Sequence, residues 1–257
     1  MISVVYLLLF FSGLCVGSFL NVVIYRLNHG LSPLGGRSLC PRCKKKIAWR
    51  DNIPLLSFFL LKGRCRSCRS PISWQYPLVE LATGVLTLFV IYYSLFVIHL
   101  SLLTTIYYLL VTYALMVIFV SDLRYTTIPD QVVYSAIGLA LVWSLGNREW
   151  LSLLAGGVAA AGFFLFLVFV TRGKGMGMGD VKLAGLMGLV LGLPGIVVAL
   201  MLAFLTGAVT GVILVLIGRK RLGEHIPFGP FLAGATWFNL FWGKIFWREC
   251  LGKMLGF

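Results

Sequence analysis

Apolar residues run along this chain in blocks of about 20, separated by short polar and basic segments. Blocks of that length suit helices that cross the hydrocarbon core of a bilayer. Eight such helices are predicted, at roughly 2–24, 79–98, 101–121, 131–146, 150–171, 181–193, 195–217 and 229–247. The sixth is short, which a tilt or partial entry into the membrane accommodates. The first has no basic n-region and no small-x-small cleavage site, so it reads as a retained helix and not as a signal peptide. The predicted fold class is an all-α polytopic membrane protein with about eight transmembrane helices. A small polar insert separates helices 1 and 2. Three parts follow: a first transmembrane helix at 1–25, the insert at 26–76, and a transmembrane domain at 77–257.

Composition supports this pattern. The 257 residues are 60% hydrophobic and 12% charged, too apolar for an ordinary soluble domain. Charge then orients the helices. Alternation places 26–74, 122–130, 172–182 and 218–228 on one side, and these segments hold 18 of the 22 Lys and Arg residues. Positive residues stay cytoplasmic, so that side is expected to be the cytoplasm, with both termini outside. Lys244, Arg248 and Lys253 run against this rule at the last helix. The net charge of +14 raises the question of nucleic acid, but the basic residues follow the topology instead of forming one surface with interleaved aromatics. Lipid headgroups are the simpler partner, and no nucleic acid is expected.

Four of six cysteines form two Cys-x-x-Cys pairs, Cys40/Cys43 and Cys65/Cys68, with 21 residues between them. Two knuckles at this spacing bring four thiolates around one Zn²⁺. A cytoplasmic location argues against disulfides, and unligated or redox-active thiols are the alternative. An insert of some 50 residues has little core of its own and needs a staple. Four Cys ligands leave no open position for water, so the zinc is expected to be structural. Lys44, Lys45, Lys46, Arg64, Arg66 and Arg69 would offset the site's negative charge. Cys15 and Cys250 read as small buried hydrophobes.

Two acidic residues stand where predicted helices meet water on the cytoplasmic side. Asp122 follows the third helix, where the helix dipole opposes a negative charge. Asp180 ends the run Gly175-Met-Gly-Met-Gly-Asp180, with the alternative of capping a helix that starts at Val181. That run does not match the dinucleotide fingerprint. Asp130, beside Pro129, reads as a helix N-cap, and Lys182 as pointing away from Asp180 toward lipid headgroups. Acidic groups this close to hydrocarbon are functional candidates by default. Two carboxylates in one site share a proton, so one can activate water while the other polarises a carbonyl. The pattern points to an aspartyl protease at the bilayer. His29, His99 and His225 fall in separate loops and form no triad.

The chain resembles the type IV prepilin peptidase family, within the GxGD intramembrane aspartyl proteases. The likeness rests on Gly17-Ser-Phe-Leu-Asn-Val-Val-Ile-Tyr-Arg-Leu27, the two Cys pairs, Asn52-Ile-Pro-Leu-Leu56 and Tyr76-Pro-Leu-Val-Glu80. It continues through 122–130, Gly175–Leu183 and Ile226-Pro-Phe-Gly-Pro230. The resemblance implies an enzyme of the bacterial cytoplasmic (inner) membrane that cuts the basic leader from prepilins or pseudopilins after a glycine. It further implies N-methylation of the new N-terminus with S-adenosylmethionine. Asp122 and Asp180 would be the catalytic pair. The sequence does not locate the S-adenosylmethionine site; Gly17, Asn21, Arg26 and Glu80, polar or small residues near the cytoplasmic ends of helices, are candidates only. Three alternatives stay open: a leader peptidase without the methylation step, a GxGD protease of another membrane substrate, and a proton-coupled transporter. The last is disfavoured because a relay carboxylate belongs near the midplane. Oligomeric state, and whether the substrates serve pili, secretion or DNA uptake, are not legible.

Overall fold

The computed structural model describes residues 2–33, 35–173, 175–219 and 226–246. Among these, the regular elements are helical, apart from two isolated β-bridges. The helices are α1 (Ile2–Leu27), α2 (Leu56–Leu60), α3 (Gln75–Tyr92), α4 (Leu102–Tyr125), α5 (Asp130–Leu145), α6 (Trp150–Val170), α7 (Met178–Leu216) and α8 (Gly229–Phe246). A 3-10 turn at Trp49–Asp51 and a π turn at Tyr93–Val97 complete the set. His225, Arg248, Cys250 and Lys253 lie outside the described residues, so the expectations about the C-terminal charges and Cys250 lie there too.

Among the described residues, five helices are by themselves long and apolar enough to cross a membrane, against the eight expected: α1, α3 with its π turn, α4, α6 and α7. The difference arises in three places. α5 has only 16 residues. α8 has 18, diluted by glycines, tryptophans and Asn239. The expected helices 181–193 and 195–217 are joined in the 39 residues of α7.

α7 is nonetheless two helices. Gly192 (φ 63°) and Leu193 (ψ 139°) leave helical geometry ahead of Pro194, which has no N–H to give and crowds the preceding turn. Packing shows where the chain goes next. A Cβ on Gly157 would meet Leu189, and one on Gly192 would meet Leu153, so the first half runs antiparallel to α6. Beyond the break, the Phe204 ring lies 6.3 and 6.0 Å from those of Phe163 and Phe164, near the other end of α6. The chain has doubled back, and its halves 178–191 and 194–216 flank α6 in opposite directions. Ser152 stitches the break: its Oγ donates to the Leu193 carbonyl (2.9 Å) and accepts the Leu193 N–H (3.0 Å). Backbone groups freed in an apolar setting need such partners.

The described chain forms two compact units, Met1–Tyr113 and Ala114–Phe257. In the first, α1 and α3 pack antiparallel along small residues. A Cβ on Gly13 would come within 2.8 Å of the Gly84 Cα, and one on Gly17 within 2.8 Å of the Glu80 Cα. The insert adds two knuckles, each pinned by one bridge, Leu39 to Lys46 and Arg64 to Pro71. In the second unit, α6 and the first half of α7 meet backbone to backbone at Gly156 and Gly188. Phe164, Leu183, Leu186, Met187 and Leu232 are fully buried there. α8 runs antiparallel to the second half of α7: Phe228 stacks near Phe204 (5.1 Å), and Asn239 lies beside Gly195.

Several local expectations change. α4 continues past residue 121 to Tyr125, because the Thr126 N–H still reaches the Asp122 carbonyl at 2.9 Å. Asp122 therefore sits in the last helical turn and not beyond it. Cys15 is exposed on α1 and not buried. As a small apolar side chain it fits a lipid-facing position equally well.

Candidate functional site

The second unit gathers three of its acidic residues, Asp122, Asp130 and Asp180, at one end. The antiparallel register puts the start of α7, the end of α6 and the start of α8 together. The 126–129 turn joins them, since a Cβ on Gly179 would lie 3.1 Å from Ile128. Asp122 and Asp180 are thus both at this end of the same bundle.

Asp122 is buried, with 6% of its surface exposed. Its Oδ2 accepts the backbone N–H of Gly229 at 2.8 Å, across 107 residues of sequence. Gly229 opens α8, and a helix N-terminus offers its positive end to an anion. That contact offsets the unfavourable dipole of Asp122's own helix. It also requires glycine: a Cβ at 229 would lie 2.7 Å from Asp122 Oδ2. In the sequence Ile226–Pro230 stands out as a motif, but nothing there assigns Gly229 a role. Its only signal was a glycine between Phe228 and Pro230 at a helix start.

Asp180 is half-buried. α7 begins at Met178, not Val181, so Asp180 lies inside the first turn. Its Oδ2 accepts the Gly177 N–H at 3.1 Å, one of the orphan donors of the helix start. Asp130 does not cap α5. Pro129 holds the N-cap position, and the Asp130 carboxylate instead accepts a hydrogen bond from Lys182 Nζ at 2.7 Å. Lys182 is not left to lipid headgroups: it bridges to α5 and also lies 5.0 Å from the Tyr134 ring. These contacts fasten the start of α5 to the Asp180 turn. Beside Gly229, an apolar recess of about 330 Å³ opens between α7 and α8, lined by Leu202, Pro230, Phe231 and Phe238 among others.

In the first unit, Cys40, Cys43, Cys65 and Cys68 converge with their Sγ atoms within 4.8 Å of one another. The Cys40 and Cys68 sulfurs are 3.9 Å apart. Four thiolates at about 2.3 Å from Zn²⁺ in a tetrahedron stand about 3.8 Å apart, so the cluster fits that ion. Without a cation the thiols do not ionise together. The Ser70 hydroxyl, 3.1 Å from Cys68, draws that thiol down to about 6. The Lys45 amide favours the Cys43 thiolate, but burial and the neighbouring Cys40 and Cys68 outweigh it and push Cys43 up to about 11. A divalent cation removes that mutual repulsion. Of the basic residues near the knuckles, Arg66 is committed elsewhere, donating two nitrogens to Asp51 at 2.6–3.0 Å.

Of the other singled-out residues, Gly17 serves the α1–α3 crossing. Arg26 folds back onto the carbonyls of Ser32, Pro33, Gly36 and Arg37, closing the start of the insert. Asn21 donates to the Tyr76 carbonyl at 3.1 Å, and Glu80 accepts the Leu55 N–H at 2.8 Å.

These features define a class: a multi-pass helical membrane protein with an acidic site at one end of a helix bundle and a four-cysteine cluster in a small insert. Comparison with known proteins makes the family explicit. Residues 11–94 match the bacterial peptidase A24 N-terminal domain, and 109–212 match the type IV leader peptidase family. A prepilin leader peptidase/N-methyltransferase of Aeromonas salmonicida is 33% identical over 96% of this chain and 94% of its own. The proteins of that name from Aeromonas hydrophila and Myxococcus xanthus are 34% and 38% identical. They cover 96% and 84% of this chain, and 94% and 65% of their own lengths. No solved structure matches. The chain belongs to the type IV leader peptidase family.

Proposed function

We propose that this protein cleaves the basic leader from prepilins or pseudopilins after a glycine, and N-methylates the residue so exposed. The observation that carries the peptidase reading is the placement of Asp122 and Asp180 at one end of one bundle, on helix turns held by Gly229 and Gly177. One carboxylate, ionised, takes a proton from water as it attacks the scissile carbonyl. The other, protonated, hydrogen-bonds to the carbonyl oxygen and then supports departure of the amine. The apolar recess beside Gly229 suits apolar residues flanking the cut.

The acidic end faces the cytoplasm in this reading, because the segments 122–130, 172–182 and 218–228 at that end carry seven of the eleven Lys and Arg residues after position 113. Eight crossings of the cytoplasmic membrane follow if α5, both halves of α7, and α8 each count as one. Support comes from the reversal at 192–194. S-adenosylmethionine supplies an electrophilic methyl group when bound. The four cysteines of the insert hold one structural zinc.

The test is mass spectrometry of a prepilin incubated with the purified full chain. Loss of the leader and gain of one methyl group, the latter only with S-adenosylmethionine, is the expected result. An intact leader would overturn the peptidase reading; cleavage without a methyl gain would overturn the second activity.

A further inference from the structure

The α1–α3 seam carries a buried carboxyl group that the peptidase site does not use. Glu80 is only 8% exposed. Its carboxylate accepts the Leu55 N–H at 2.8 Å, and the Ser18 hydroxyl also hydrogen-bonds to it. Both donors are neutral. Among the described residues, no lysine or arginine pairs with Glu80. Arg26, on the same helix as Ser18, is consumed by four backbone carbonyls. One turn along the seam, Asn21 is 2% exposed and gives its amide N–H to Tyr76, while its Oδ1 has no partner. Gly17 packs on Glu80 and Asn21 bonds to Tyr76, so the two polar residues stand about one helical turn apart along the same seam.

This corner has acceptors in excess and no cation. A buried carboxylate without a counter-charge costs several kcal/mol unless it is neutralised. An unfilled amide oxygen beside it adds a second unmet demand for a donor. The group that satisfies both is a cation bearing several N–H bonds. We propose that Glu80 and Asn21 bind a primary ammonium group at the methyl-transfer site. Resting on the methylation part of the function above, this chemistry has two sources: the amino-acid end of S-adenosylmethionine, or the new N-terminus of the cleaved substrate. The orphaned Asn21 oxygen is the acceptor that such a group would take. The Leu55 N–H on Glu80 ties the insert's 52–56 turn to the same spot, so the insert and this corner of the seam form one local structure.

The discriminating variant is Glu80→Gln in the full-length, zinc-loaded protein. Glutamine keeps an acceptor for Leu55 and the shape of a protonated glutamate, but loses the charge. Four readouts are compared: zinc content, prepilin cleavage, equilibrium binding of radiolabelled S-adenosylmethionine without peptide, and KM for a pre-cleaved peptide. Zinc and cleavage are expected to stay within about twofold of the parent. A hydrogen bond to a charged group is worth about 1.5–3 kcal/mol, so about a tenfold or larger loss is expected. It falls on S-adenosylmethionine affinity if the ammonium is the donor's, and on peptide KM if it is the substrate's. Asn21→Leu should move the same constant, and it decides the matter if Glu80→Gln fails to fold. Parental values of both constants in Glu80→Gln would show a neutral, structural glutamate and overturn the proposal. So would a loss of zinc and cleavage together with binding. A parent protein that cleaves but neither binds S-adenosylmethionine nor methylates would instead defeat the methylation reading itself, and this inference with it.

Discussion

Asp122 and Asp180 stand out as candidates in the sequence because an acidic side chain bordering hydrocarbon is costly and invites a reason. Their partners do not: Gly229 is 107 residues from Asp122, and nothing local announces that its N–H meets a carboxylate. Asp122→Asn and Asp180→Asn should each abolish leader cleavage while the protein still accumulates in the membrane. Asparagine keeps the shape and removes the acid–base capacity, and near-normal cleavage by either folded variant would remove that residue from the mechanism. Gly229→Ala tests the contact from the other side. Its methyl group would sit 2.7 Å from Asp122 Oδ2, an overpacking that costs about 1–3 kcal/mol. Cleavage should fall at least tenfold with zinc content unchanged; parental kcat in that variant would show that the Gly229 contact does not position Asp122. Asp130 and Lys182 were misread for a related reason. Each has a common local role, a cap and a headgroup contact, and the ion pair between them spans 52 residues.

At the scale of elements, the knuckle spacing revealed the four-cysteine cluster, since four thiols in two Cys-x-x-Cys pairs have few other arrangements. Purified protein should carry about one zinc per chain, and a Cys40→Ser, Cys65→Ser double variant should lose it by atomic absorption. Full retention would refute the assignment. Because Leu55 of the insert rests on Glu80, loss of the metal should lower methylation at least as much as cleavage. The Lys182–Asp130 pair makes a separate prediction, because it joins two elements and not two catalytic groups. Lys182→Asp should lower kcat for cleavage, and so should Asp130→Lys. The double exchange should restore much of it if the fastening of α5 to the Asp180 turn is what matters. A double variant no better than either single one would mean that the lysine's charge acts directly on Asp180. Helix ends were the least legible feature throughout. α4 and α7 each extend into polar residues because backbone hydrogen bonding continues past the last apolar side chain.

The whole-molecule pattern of apolar blocks predicted an all-helical membrane protein, and it also foresaw separate helices on either side of Pro194. It did not reveal how the break at 192–194 is stitched, since Ser152 looks like any other small polar residue in an apolar run. That break has a consequence for the surrounding lipid. The first half of α7, 178–191, is 14 residues and so about 21 Å long. α5, with 16 residues, reaches about 24 Å. Both are shorter than a hydrocarbon core of about 30 Å. The two short rods start side by side, joined by Lys182 and Asp130, at the acidic end. A bilayer meeting them must thin or pucker there, and each ångström of mismatch costs a fraction of a kcal/mol. We predict that water reaches the scissile peptide bond through this thinned region, so that the lipid sets the rate. Reconstituted in vesicles of graded acyl length, the enzyme should cleave fastest in the thinner bilayers and slow progressively in thicker ones. A rate independent of thickness would mean that protein alone carries the water in.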